Sequence, residues 1–183
     1  MKKIFILTIA LAASAISFKS MAQEVKMVGG AAMYPTRDIV DNAVNSKDHT
    51  TLVAAVKAAG LVETLKGDGP FTVFAPTNAA FNKLPEGTVS NLIKPENKAM
   101  LTRILTYHVL SGKYSSAEIV KAIKAGKGNA EFSTVSGGKL WVMMKGKNIM
   151  LKDENGGTSM LSIADVNQKN GIIHVIDSVV LPK

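Results

Sequence analysis

The 183-residue sequence contains no cysteine. Disulfide staples, thiol nucleophiles and cysteine metal centres are thereby excluded, and a chain of this length can bury a core without them. Aromatic residues make up only 5%, with a single tryptophan. Nucleic acid is therefore not an expected partner, because Trp141 is the one aromatic among the lysines after Phe132 and no stacking series exists. Histidine is equally scarce: His49, His108 and His174 show no i,i+3 or i,i+4 spacing and no neighbouring acid that completes a ligand pattern. His108, on the core stripe of its helix, and His174, within an apolar strand, are each read as a buried, hydrogen-bonded histidine, and no metal site is expected. Nucleophilic catalysis finds no Gly-x-Ser-x-Gly elbow. Gly29-Gly30 and Gly156-Gly157 open no helix with phosphate-cradle spacing. The one carboxylate pair, Asp153-Glu154, is read as divergent and solvated. No enzyme and no cofactor are expected.

What the chain does have begins with a leader. Lys2 and Lys3 precede an apolar run from Ile4 to Ile16, too short to span a bilayer, and Ser20-Met21-Ala22 is a small-x-small cleavage signal. Residues 1–22 are therefore read as a signal peptide, Gln23 as the mature N-terminus, and the product as exported, periplasmic or secreted, with no membrane insertion after cleavage. Lys2, Lys3 and Lys19 leave with the leader, so 22 basic residues become 19 against 14 acids, a net charge of +5.

Residues 23–35 are small, apolar and aperiodic, and are read as an extended N-terminal arm. Residues 36–183 are read as a single domain. Thr36 is placed to cap a helix to about Asn45, and Thr50 to Ala59 carries the stripe Leu52, Val53, Val56, Ala59 with Gly60 as its stop. A further turn covers 61–66 and a short helix 88–93. Pro95 opens a helix bearing Leu101, Ile104, Leu105 and His108. Ser115 and Glu118 form a capping-box pattern ahead of a helix to Ala125. After Gly128 the pattern changes to strands at 130–135, 139–145, 148–152, 158–166 and 171–181, divided by glycine and asparagine turn signals. Helices first and strands last point to an α+β fold.

The most concentrated signal is Phe71-Thr72-Val73-Phe74-Ala75-Pro76-Thr77-Asn78-Ala79-Ala80-Phe81, which holds three of the six phenylalanines. It reads as a buried strand ended by Pro76, followed by a helical turn that Thr77 caps. A second apolar run is Gly171-Ile172-Ile173-His174-Val175-Ile176-Asp177, continuing to Pro182, and between them lies Tyr107-His108-Val109-Leu110. These three segments, in this order and spacing, resemble the signature elements of the fasciclin (FAS1) domain, over roughly Thr36 to Pro182. The resemblance implies a β-sandwich-like wedge with an N-terminal helical layer. It also implies a non-enzymatic adhesion or binding module that engages proteins or polysaccharides of the cell surface or matrix, with weak self-association left open. Phe71, Phe74, Pro76, Thr77, Asn78, Phe81, His108, Gly171, His174 and Asp177 become its structural signature. Core positions are expected at Phe71, Val73, Phe74, Phe81, Leu101, Leu105, Ile173, Val175 and Ile176, with the two apolar signature strands meeting in space.

Candidate partner-binding residues fall into three groups. Tyr107 is open to two roles, an exposed contact or a core side chain. Asp165-Val166 stands where some animal fasciclin domains carry an integrin-binding Asp-Ile step, but Ala164 and Asn167 depart from that pattern. Between Lys113 and Lys152, eight lysines face Glu118 and Glu131, a net of +6. Lys121, Lys124, Lys127, Lys145 and Lys147 are the candidates there, either as a solubilising surface or as a face for anionic polysaccharide. The polysaccharide face is the alternative function, and a small hydrolase is a more distant one. Met143, Met144, Met150 and Met160 raise the question of copper(I), but Met143 and Met144 point to opposite sides of one strand. They are read as adaptable core filler.

Overall fold

The computed structural model describes residues 24–183; the leader and Gln23 lie outside the described residues. The chain begins with β1 (Lys26–Val28) and β2 (Ala31–Met33), an antiparallel hairpin. The arm expected to be merely extended therefore has structure. Gly29 and Gly30 make the turn at φ of 57° and 77°, and Val28 and Met33 anchor the hairpin in the core. Three-residue strands on each side of a glycine pair offer too short an alternation to be recognised from sequence.

A helical layer follows: α1 (Ile39–Ala43), α2 (Thr50–Ala59) and α3 (Val62–Lys66). The first helix starts two residues later than expected because Asp38, not Thr36, is its cap and accepts the Asp41 N–H. Gly60 ends α2 in the left-handed conformation, returning its N–H to the Lys57 and Val56 carbonyls. Strand β3 (Phe71–Pro76) runs into α4 (Asn78–Phe81), where the Thr77 hydroxyl accepts the Ala80 N–H. Next come α5 (Thr88–Leu92) and α6 (Lys98–Tyr107), the latter preceded by a 3-10 turn at Pro95–Asn97. His108 lies one residue beyond α6, at its C-cap, so the helix expected to carry it stops just short. After β4 (Val109–Ser111), α7 (Ser116–Ala125) opens with the full Ser115–Glu118 capping box.

The remaining strands are β5 (Asn129–Ser133), β6 (Lys139–Lys145), β7 (Asn148–Lys152), β8 (Thr158–Gln168) and β9 (Gly171–Ile176). They join β3 and β4 in one seven-stranded sheet of order β4-β3-β9-β8-β7-β6-β5. Strand β9 is shorter than expected because Asp177 leaves the ladder, its N–H reaching the Met160 carbonyl while its carboxylate accepts the Met160 N–H. The sheet nearly closes on itself: Val135, just past the β5 edge, donates its N–H to Val109 of the β4 edge at 2.8 Å. The architecture is an α+β wedge close to a barrel.

The two signature strands do meet. β3 and β9 are parallel neighbours from Phe71–Gly171 to Pro76–Ile176. Both are buried on two sides, which is why they read as continuous apolar runs. Val73, Ala75, Ile173 and Val175 face one core under α1, α2 and α6. Phe74 and Ile176 face a second core shared with α7, Leu140, Val142 and Leu151. Of the expected core positions, Phe71 alone is only half-buried, since it begins its strand.

The methionines do not fill the core as expected. Met143, Met150 and Met160 belong to neither core; they lie half-buried on the opposite side of their strands from Leu140, Val142, Ile149 and Leu151. Met144 is 39% exposed near the end of its hairpin.

Candidate partner-binding surface

Helix α7 presses Ile119 and Ile123 into the second core, which turns Lys121 and Lys124 to solvent one helical turn apart. The chain then leaves the helix through Lys127, itself in the left-handed region at φ 55°, and Gly128. Asn129 follows and pairs with Met143, two residues before Lys145. The β6–β7 turn carries Lys147 across to Asn148, which pairs with Lys145. One end of the sheet therefore collects Lys124, Lys127, Lys145 and Lys147, all exposed, with Lys121 one helical turn further along.

Their charge is not cancelled locally. Glu118 accepts the Ser115 N–H and hydroxyl at 2.7 Å, and those hydrogen bonds hold its carboxyl below the usual range. Glu131 is taken by the Lys139 ammonium at 2.9 Å and the Trp141 indole N–H at 3.1 Å. Among the described residues, the ion pairs are Lys66 with Asp38 and Asp41, Lys83 with Asp177, and Lys139 with Glu131. None involves the five candidate lysines.

The other two candidates belong to different places. Tyr107 is fully buried, which rules out the exposed-contact role. Its ring lies against Gly138, where a Cβ would come within 2.8 Å of it, and its hydroxyl donates to the Lys139 carbonyl. Burial pushes the phenol up to about 12. Asp165 is half-buried, with both carboxylate oxygens turned to Ser116, one on its N–H at 2.7 Å and the other on its hydroxyl. It sits at φ 57° in an irregular stretch of β8, where its own N–H donates to His174 Nδ1 at 3.2 Å. Asp165 joins β8 to the start of α7, away from the lysine end of that helix.

The signature residues act as connectors. Asn78 ties α4 to α2 by accepting the Thr51 N–H and to the 3-10 turn Lys47–His49 by donating to the Lys47 carbonyl. His174 stacks on Phe74 with ring centres 5.7 Å apart and donates Nε2–H to the Tyr114 carbonyl. His108 Nδ1–H donates to the Ile104 carbonyl at 2.8 Å, and its Nε2 accepts the Val180 N–H at 3.2 Å. Burial holds His108 down to about 4 and lowers His174 and His49 as well.

Asp153, expected to be solvated, is instead 4% exposed. Its carboxylate accepts the N–H groups of Asn155, Gly157 and Leu181, so it both closes the β7–β8 turn and pins the C-terminal tail. The Asn-Gly-Gly sequence after it signals the turn, but not the returning tail. Replacing Asp153 by Ala should cost about 2–4 kcal/mol, because three N–H groups lose a charged acceptor. Urea unfolding of the variant checks this.

A cavity of about 70 Å³ lies among α1, α2, α3 and β3, and no polar atom opens into it. His108 borders it, yet both ring nitrogens are occupied by backbone groups, so it offers no free base there.

The Fasciclin domain family profile matches residues 47–182. Protein sll1483 of Synechocystis sp. is 44% identical over 156 residues, covering 85% of this chain and 79% of that protein. Immunogenic protein MPB70 of Mycobacterium bovis is 37% identical over 145 residues, covering 76% of this chain and 66% of that one. Among solved structures, a FAS1 domain pair from the insect cell adhesion molecule Fasciclin I superposes with a TM-score of 0.70. That match has 19% identity and spans 79% of this chain and 51% of the other.

Proposed function

The chain belongs to the fasciclin family, and from that premise we propose that it is an exported, non-enzymatic binding module. Its role in this reading is adhesion to macromolecules of the cell surface or matrix. The observation that carries the reading is the family domain itself, which takes up most of the described chain. The insect relative is a cell adhesion molecule. Among the described residues no helix is long and apolar enough to cross a membrane. Residues 1–22 act as the leader and Gln23 begins the mature protein. Intact-mass measurement of the exported form should give residues 23–183, and a mass that retains Met1 to Ala22 refutes the processing.

One observation favours a second reading, in which the ligand is an anionic polysaccharide. The five exposed lysines at the end of α7 and the β6–β7 turn have no ion partners among the described residues, so their field is available to a polyanion. Reversing Lys121, Lys124 and Lys147 to Glu takes the 113–152 segment from +6 to zero. The wild type should bind a polyanion column at low salt and elute as salt rises, because released counterions supply much of the affinity. The triple variant should pass through. Equal retention would leave the lysines as a solubilising surface only, while the adhesion reading would still be testable by capture of cell-surface extract on the immobilised protein.

A further inference from the structure

We propose that the cavity between the helical layer and the sheet binds the end of an alkyl chain, carried by a single-chain anionic amphiphile whose head group rests at Lys57. The cavity holds about 70 Å³, and no polar atom opens into it. A smaller void of about 30 Å³, equally apolar, lies against it and shares Ile39, Ala43, Leu52 and Val73 as walls. Neither suits water, which needs about 2–4 polar partners. Protein interiors are close-packed, so empty space of this size weakens the fold unless something fills it. An apolar cavity of about 150 Å³ suffices for benzene, so the larger void alone takes about three carbons of a chain. The site lies apart from the lysine surface and is independent of the adhesion reading.

The cavity reaches the surface. Lys57, Thr64 and Val135 line it and are exposed, while Val53, Leu61 and Val62 on the same lining are half-buried. These apolar rim residues would cover the carbons that the cavity cannot take. The wall formed by α3 is the loosest, because that helix has no fully buried residue. Lys57 is the one lysine or arginine on the lining, and no carboxylate stands there. It belongs to none of the ion pairs among the described residues. The acids nearest to the lining in sequence, Asp38, Asp41 and Glu63, are not part of it, and the first two are held by Lys66. Thr106 also lines the cavity, but its hydroxyl turns back to the Thr102 carbonyl. A positive charge above an apolar hole complements an anionic head on an apolar tail, and disfavours a cationic one.

The test follows the methyl NMR signals of the lining as the purified protein is titrated with sodium decanoate, decyl phosphate or decanol, each below the concentration at which it aggregates. At least one of the two anionic probes should shift the Leu52, Val56 and Val73 methyls, and the comparison tells whether a carboxylate or a phosphate head is preferred. Decanol keeps the chain without the charge and should shift the same methyls more weakly. Lys57→Glu should weaken the anionic probes by about tenfold or more and leave decanol unchanged. Ala43 lines both voids, so Ala43→Leu fills the space between them and should abolish binding of all three probes. Val53→Ile adds a single methyl at a half-buried rim position and should weaken binding with less risk of overpacking. Thermal unfolding checks that both variants fold. The Lys121/Lys124/Lys147→Glu protein should bind decanoate as the wild type does, which separates this site from the polyanion surface. Lining methyls that no probe moves, or that decanol alone moves, overturn the proposal, as does equal binding by the folded filling variants.

Discussion

Lowering the pH from 7 to 4.5 should strip this protein of about 2 kcal/mol of stability through His108 alone. The folded imidazole is held down to about 4 from an ordinary 6.5, chiefly by burial. The hydrogen bonds explain why the neutral form fits. Nδ1–H already donates to Ile104, so an added proton must go on Nε2, which faces the Val180 N–H. The sign follows from proton counting: between pH 6.5 and about 4 the unfolded chain binds a proton that the folded chain refuses. Stability is therefore complete above pH 6.5 and declines as pH falls toward 4. His174 and His49 are lowered in the same direction, again mainly by burial. His174 has the same conflict, since its Nδ1 accepts the Asp165 N–H. His49 is buried as well, with its Nδ1 2.9 Å from the Ser46 hydroxyl. Against a typical domain stability of about 5–15 kcal/mol, such a loss is large. Urea midpoints at pH 7.5, 6.5, 5.5 and 4.5 should fall steadily below 6.5. His108→Gln should be less stable at pH 7.5 but show a flatter decline. A wild-type midpoint that stays level down to pH 5 would show that these imidazoles are not held neutral by the fold.

How much of this can be read from the sequence depends on the range over which each feature is encoded. The strand Phe71 to Pro76 and its Thr77 cap are written in adjacent residues, and so are the Ser115–Glu118 capping box and the Gly60 stop. The meeting of β3 with β9 is also readable, because strands buried on both sides must be continuously apolar. Features that depend on register are not. Along the chain Met143 has Met144 as its neighbour, whereas its structural neighbours are Met150 and Met160 across the sheet. A single turn misjudged by one residue would turn that row to the other side. Tyr107 is ambiguous in sequence for a similar reason. Its position at the last turn of α6 leaves its direction to the Gly138 backbone that it packs against, 31 residues away. Asp153 looks like a turn acid because its third partner, the Leu181 N–H, arrives from the tail. The lysines are visible as a charge excess, but their collection at one end of the sheet depends on the Asn129–Met143 pairing.

Gly171→Ala should be among the most damaging single substitutions in the chain, costing about 3 kcal/mol or more, the top of the range for overpacking. The reason is space and not backbone freedom, since Gly171 is not among the positive-φ glycines. It sits directly opposite Phe71 at the start of the parallel β3–β9 pair. A Cβ at Gly171 would collide with the Phe71 carbonyl oxygen and lie 3.0 Å from its carbonyl carbon and nitrogen. Every one of those atoms is backbone, so nothing can rotate away, and the strands must part. Parting them threatens the Phe71 N–H bond to the Asn170 carbonyl, and with it Asn170, whose side chain also holds Ile39, Leu65 and Gly67. The helical layer would thus loosen together with the central strands. Gly30 provides the contrast, because it has φ 77° and a Cβ added there would meet nothing within 4 Å. There the cost is conformational, and Asn, which tolerates the left-handed region, should restore most of what Ala loses. At Gly171 Asn should be no better than Ala. Thermal unfolding of the four variants separates the two causes. A Gly171→Ala protein that melts within a few degrees of wild type would mean the two signature strands can yield at this contact.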